Sequence, residues 1–163
     1  MMRLIFFIIT CFSFFVSLPT LSSDDFHFTY LNEKIVTYSE KITICNSKKE
    51  MPLLSGKDLK HLKEILGRKP LILSYLSMKS FNNCLQPERG ELAELLLSYD
   101  YVDISSYTRK LANSTKKLVF LSDFDELAEY TSLNHEEKRV ISTIEELKAP
   151  FDELGTFEFI MEM

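Results

Sequence analysis

Six apolar residues near the start of the chain recur at alternating intervals of three and four positions, which places them on one side of an α-helix. They are Phe28, Leu31, Ile35, Tyr38, Ile42 and Cys45. The runs FHFTY, IVTY and ITI within this segment are rich in strand-forming residues, so extended structure is the alternative. The helix is the better prediction because it alone uses every apolar position of the segment without a turn.

Further helices are predicted from their start and stop signals. The candidate N-terminal signals are Ser55, Pro87 with Glu88, Asp103, Ser122 and Asn134, and the candidate stops are Gly67 and Pro150. Asp58, Asp125 and Glu137 lie three residues after their serine or asparagine caps, which is the spacing of a capping box. The helix after Asp103 is expected to carry Ile104, Tyr107, Leu111 and Leu118 as its apolar residues. Residues 71–84 are apolar around most of a helix and predict the central, buried one.

The C-terminal segment GTFEFIMEM has a different pattern. Phe157, Phe159, Met161 and Met163 alternate with other residues, which is typical of a strand or an extended arm. The chain has only four glycines, and it shows no repeat or interdomain linker. We therefore expect residues 23–163 to form one all-α domain, a compact bundle of five to seven helices with a short extended C-terminal arm.

Residues 1–22 have the composition of a secretory signal peptide. Arg3 is the only charged residue, an apolar core of about 15 residues follows, and small residues lead to Ser22. This core is shorter than the roughly 20 residues that a membrane-spanning helix needs. We predict cleavage after Ser22, with a cut after Ser23 as the alternative. The mature protein is then periplasmic or secreted, without a stable membrane span.

Two cysteines, Cys45 and Cys84, follow the predicted cleavage site, whereas Cys11 lies within the signal peptide. Exported proteins enter an oxidising compartment, so we predict one disulfide between these two residues. The alternative is two separate buried thiols. Their spacing does not form the Cys-x-x-Cys motif of a redox-active pair.

The net charge bears on the class of partner. The predicted mature chain keeps 24 acidic and 18 basic residues. An acidic protein repels phosphate backbones, so nucleic-acid binding is disfavoured and a basic protein partner is favoured.

Residues that carry catalysis or bind metals are sparse. His27, His61 and His135 are isolated from one another and lack the spacing of metal ligands, so we expect surface or capping roles and predict no metal or cofactor. Three acidic pairs have the residue types of a glycoside hydrolase, but they occupy helix starts and exposed faces. The pairs are Glu91 with Glu94, Asp123 with Asp125, and Glu136 with Glu137. We predict that the protein is not an enzyme.

The leading functional hypothesis is an exported protein-interaction module, such as a periplasmic inhibitor or a toxin-immunity protein. Its candidate interface is the C-terminal segment with Phe157, Phe159, Met161 and Met163, which either packs on the helical core or binds a partner or a second copy of the chain. A small carboxylate-dependent hydrolase and a carrier of a small apolar ligand are the alternatives.

Mass spectrometry of the protein from its native host tests the export prediction. The mature chain is expected to begin at Ser23 or Asp24, because the small residues at the end of the apolar core suit signal peptidase. Intact Met1 on a cytoplasmic product would contradict export and remove the reason for expecting a disulfide.

Overall fold

The computed structural model describes residues 23–120 and 124–163. The predicted signal peptide, and Ser122 and Asp123 with the roles proposed for them, lie outside these residues.

The described residues form eight α-helices and one short 3-10 helix. The α-helices are α1 (Ser23–Ser47), α2 (Gly56–Leu66), α3 (Ile72–Cys84), α4 (Glu88–Ser98), α5 (Ser106–Val119), α6 (Phe124–Thr131), α7 (His135–Ser142) and α8 (Glu153–Glu162), and the 3-10 helix is Glu145–Leu147. The all-α prediction is confirmed. Helices α1 to α7 correspond to the predicted bundle, and α8 occupies the place of the predicted extended arm. No helix in the described ranges is long and apolar enough to cross a membrane.

The helices pack in two groups, each with its own apolar core. One group contains α1, α4 and α5, and the other contains α2, α3, α6, α7, the 3-10 helix and α8. The first core is formed by Leu31, Leu92, Leu96, Tyr99, Ile104, Ala112 and Val119. The second is larger and includes Leu62, Leu66, Ile72, Leu73, Ile144, Phe151 and Ile160. Because the helices of the two groups alternate along the chain, neither group is a continuous stretch of sequence.

Helix α1 confirms the predicted apolar stripe. Leu31 and Cys45 are buried, and the other four residues of the stripe are half-buried. The stripe packs on α4 and α5. Two ion pairs link α1 to α4, from Lys34 to Glu91 at 2.7 Å and from Lys41 to Glu88 at 3.1 Å.

Several predicted helix boundaries are confirmed. The Ser55 side chain accepts a hydrogen bond from the Asp58 backbone N–H, and α2 ends before Gly67. At the start of α7, the Asn134 side chain and the Glu137 side chain each accept a backbone N–H, at 2.9 Å, which completes the capping box. These signals depend on neighbouring residues alone, so the sequence is sufficient to predict them.

The predicted start of α5 is wrong. Ser105, not Asp103, is the N-cap, because Ile104 inserts its buried side chain into the first core before the helix begins. Ile104 is buried, and Leu111 packs against the first core. The buried residues of α5 are Thr108, Ala112, Thr115 and Val119, whereas Tyr107 and Leu118 are exposed.

Helix α7 ends at Ser142, well before the predicted stop at Pro150. The hydroxyl groups of Ser142 and Thr143 donate to backbone carbonyls three residues earlier, at 2.8 and 2.7 Å. Such bonds compete with the helix for backbone acceptors. Ile144 then adopts an extended conformation and buries its side chain, so packing of this residue into the second core favours a break in the helix.

Helix α3 is central to the second group but is not buried on every side. It packs against α6, α8 and the 3-10 helix, and its most buried residues include Leu73 and Leu76. Leu71, immediately before the helix, is exposed, and Tyr75, Met78 and Phe81 are only half-buried. The prediction of complete burial is therefore wrong for this side of α3.

The predicted disulfide between Cys45 and Cys84 is present in the structure, with a Cα–Cα distance of 6.0 Å. It joins the C-terminal end of α1 to that of α3. It therefore forms a covalent link between the two groups of helices.

Replacing both cysteines with alanine is expected to lower the free energy of unfolding by about 2–4 kcal/mol, because the unfolded chain loses a constraint across roughly 40 residues. Urea denaturation of the oxidised wild type and the double variant measures this difference. Alkylation of the oxidised protein without reductant is the matched check, and labelling of either cysteine would contradict the bridge in solution.

Candidate functional site

All of the net negative charge of the chain is carried by its C-terminal 19 residues. Residues 145–163 contain six acidic residues and one basic residue, whereas residues 1–144 contain 18 of each. This asymmetry is present in the sequence, but the overall net charge does not reveal it. The 3-10 helix and α8 therefore form an acidic segment on an otherwise balanced chain.

Helix α8 begins at an N-terminal cap formed by Asp152. The Asp152 side chain accepts a hydrogen bond from the backbone N–H of Gly155, and its backbone carbonyl accepts one from the N–H of Thr156 at 3.0 Å. Thr156 and Ile160, four residues apart, are the buried residues of the helix. The prediction of an extended arm is wrong. A helix satisfies its own backbone groups, whereas the described residues contain no sheet to which a strand could be added.

The four candidate interface residues do not share one side of α8, because alternate residues point in nearly opposite directions on a helix. Phe157 and Phe159 are partly buried and pack against the second core. Met161 and Met163 are exposed, Met163 by 71%. Of the two alternatives for this segment, packing on the helical core is therefore correct for Phe157 and Phe159. Their role in binding stays a prediction.

A groove of about 610 Å³ lies between α3 and the start of α8. Leu73 of α3 and Phe151, both almost completely buried, belong to its lining together with Leu154 and Phe157. The segment before α2 closes one side, because the backbone carbonyl of Glu50 accepts a hydrogen bond from the Asp152 N–H at 3.0 Å. The remaining lining residues are Lys49, Pro70, Ser77, Asp152 and Glu153.

The charged residues that line this groove differ in whether their side chains already contact another group of the protein. Lys49 lies over the ring of Phe81, with its Nζ atom 4.6 Å from the ring centroid. Asp152 caps α8. Glu153 is exposed, and within the described part of the chain its side chain forms no ion pair or hydrogen bond. The same is true of Glu158 and Glu162, so the acidic groups of α8 are available to an external cation.

The three candidate carboxylate pairs have other environments. Glu91 pairs with Lys34, and Glu94 lines the same shallow surface depression. Asp125 is exposed at the start of α6, and its predicted partner lies outside the described residues. None of Glu91, Glu94 and Asp125 lies in the groove beside α8.

Glu136 and Glu137 are held by hydrogen bonds that favour their ionised forms. A hydrogen bond from Arg139 lowers the pKa of Glu136. The backbone N–H of Asn134, and then the side chain of Arg68, lower the pKa of Glu137. A general acid of a glycoside hydrolase needs a raised pKa, so these contacts favour structural roles.

The three histidines are separated in the structure. His27 contacts the Tyr99 ring edge-on at 5.6 Å between centroids, and His135 is exposed at the first position of α7. His61 is half-buried beside a polar cleft between α2 and α7, and its Nδ1 atom has no hydrogen-bond partner among the described residues. No group of three or more potential metal ligands occurs within 23–120 and 124–163.

The carrier hypothesis requires a cavity with an apolar lining. A cavity of about 230 Å³ beside α3 and α7 is lined partly by Leu76, Ile144 and Leu147, with Lys79 and Lys148 among its polar residues. Its volume is below the roughly 300–1,000 Å³ that is usual for small-molecule sites. The groove beside α8, which sequence analysis did not reveal, is within that range.

Comparison of the chain with protein-family models, curated proteins and solved structures finds no match. The arguments for function therefore rest on the residues of this chain.

Replacing Gly155 with alanine is expected to destabilise the protein by about 1 kcal/mol, the usual cost of losing a helix cap. A Cβ atom at this position would collide with the carboxylate of Asp152 and approach Met51 to 3.3 Å. Gly56→Ala is the matched control, since a Cβ there meets nothing within 4 Å and alanine favours a helix. Urea denaturation measures both variants, and equal stabilisation by the two would contradict the role assigned to Gly155.

Proposed function

We propose that the protein is an exported interaction module that binds a basic protein partner through the acidic segment 145–163. The observation that carries this proposal is the concentration of charge in that segment, together with three exposed glutamates on α8 that have no basic partner in the described chain. The proposed class is an inhibitor or a toxin-immunity protein of the periplasm or the extracellular space.

Charge segregation supports this class because an uncompensated charged surface accelerates encounter with a partner of opposite charge and disfavours partners of like charge. Elsewhere in the described residues, five acidic residues form ion pairs with lysine or arginine, two of them between α1 and α4. Within segment 145–163, Glu145 pairs with Lys148. The same acidic segment disfavours nucleic acid, because binding to a phosphate backbone requires basic groups.

The disulfide supports export, because such bonds persist mainly in oxidising compartments. It also suits a binding module, since a covalent link between the two helix groups restricts their relative motion. A binding surface that is ordered before association loses less conformational entropy on binding.

Affinity capture with a charge-matched control tests the proposal. The protein is immobilised and exposed to an extract of its native host, beside the triple variant Glu153→Gln, Glu158→Gln, Glu162→Gln. The control carries Glu40→Gln, Glu64→Gln and Glu94→Gln, which remove the same charge from exposed positions outside α8. Mass spectrometry identifies and quantifies the retained proteins.

The wild type and the control are expected to retain a basic protein that the α8 variant retains at least about tenfold less, because each lost ionic contact weakens binding by up to about 1 kcal/mol. This difference is expected to shrink as salt concentration rises. An acidic partner, or equal retention by the two triple variants, would contradict the proposal.

A further inference from the structure

The groove between α3 and α8 combines a buried apolar floor with an exposed apolar wall. Leu73 and Phe151 are each 1% exposed, whereas Leu154 at the wall is 68% exposed. A large apolar side chain left in water beside a groove loses that exposure when another apolar group packs against it. Burial of such groups is favourable by about 25 cal/mol per Å².

Glu153 adds a charge at the same place. It precedes Leu154 in the first turn of α8, lines the groove, and has no ionic partner in the described chain. Lys49, on the groove as well, is held over the Phe81 ring, and Asp152 is held by the N-terminal cap. The lining therefore carries one basic residue, Lys49, and two acidic residues, Asp152 and Glu153, so the groove has an excess of negative charge.

We propose that this groove binds a short segment of a protein partner in which a large apolar residue lies next to lysine or arginine. The apolar side chain enters between Leu73, Phe151 and Leu154, and the basic group pairs with Glu153. This inference rests on the proposed function, since it names the part of the acidic segment that the basic partner contacts and the sequence feature that the groove recognises.

The volume of the groove suits such an anchor. About 610 Å³ lies within the range of roughly 300–1,000 Å³ found for sites that enclose a small ligand, so the space accommodates a large side chain and its neighbours. A segment with acidic residues is disfavoured by Asp152 and Glu153. A purely apolar segment forms no ion pair with Glu153, so we expect it to bind more weakly than a segment that also contains lysine or arginine.

Selection from a phage-displayed library of random 12-residue peptides tests the inference, with the purified, oxidised protein as bait. We expect the enriched peptides to contain a large apolar residue within two positions of lysine or arginine. One enriched peptide is then synthesised, and its affinity is measured for the wild type and for three variants.

Glu153→Lys is expected to weaken binding of this peptide at least about tenfold, because an attraction becomes a repulsion. Glu40→Lys makes the same charge change at an exposed position of α1, outside α8 and outside the groove lining, and is expected to weaken binding less than threefold. Leu154→Ser removes an exposed apolar wall without disturbing the core and is expected to weaken binding at least threefold.

The inference is overturned if no peptide is enriched, if the enriched peptides lack a basic residue, or if the two lysine variants weaken binding equally. If the peptides fail while the native partner is still lost from the triple α8 variant, the groove is not the site but the proposed function stands. If no basic partner is captured either, both proposals fail.

Discussion

The disulfide between Cys45 and Cys84 is the constraint on which the arrangement of the helices depends. The chain passes from the first helix group to the second, returns for α4 and α5, and enters the second group again at α6. The two apolar cores share no residue, so burial of one does not by itself fix the position of the other. The disulfide joins the two groups, because Cys45 lies at the end of α1, where the chain leaves the first group, and Cys84 at the end of α3, where the chain returns to it.

Within the second group, α8 has one side that packs on the core and another side that faces solvent. Thr156 and Ile160 face the core and anchor the helix, and its glutamates face solvent. The anchored side explains how an acidic helix can stay in place although its charges repel one another. The solvent side carries charge that nothing else in the described chain neutralises. The residues that anchor this ten-residue helix are therefore different from those through which we propose that it binds a partner.

The glutamates that the sequence offered as candidate catalytic carboxylates mostly form helix caps and ion pairs. Glu137 completes a helix cap, and Glu136 and Glu91 form ion pairs. Hydrogen bonds lower the pKa of Glu136 and of Glu137, and the ion pair of Glu91 with Lys34 links α1 to α4. In contrast, the groove beside α8 is formed by residues from three separate parts of the chain, and among its lining residues only Phe157 was a candidate interface residue in the sequence.

The sequence by itself determined the all-α class, the stripe of α1, the caps at Ser55 and Asn134, and the pairing of two cysteines. These features depend on residues within a few positions of one another, or on there being only one pairing to choose. Only the tertiary structure decided the start of α5, the end of α7 and the helical form of residues 153–162. In each case a buried side chain, namely Ile104, Ile144 or Ile160, determines which backbone conformation reaches the core. The groove was equally hidden, because it exists only where α3, α8 and the segment before α2 meet in space.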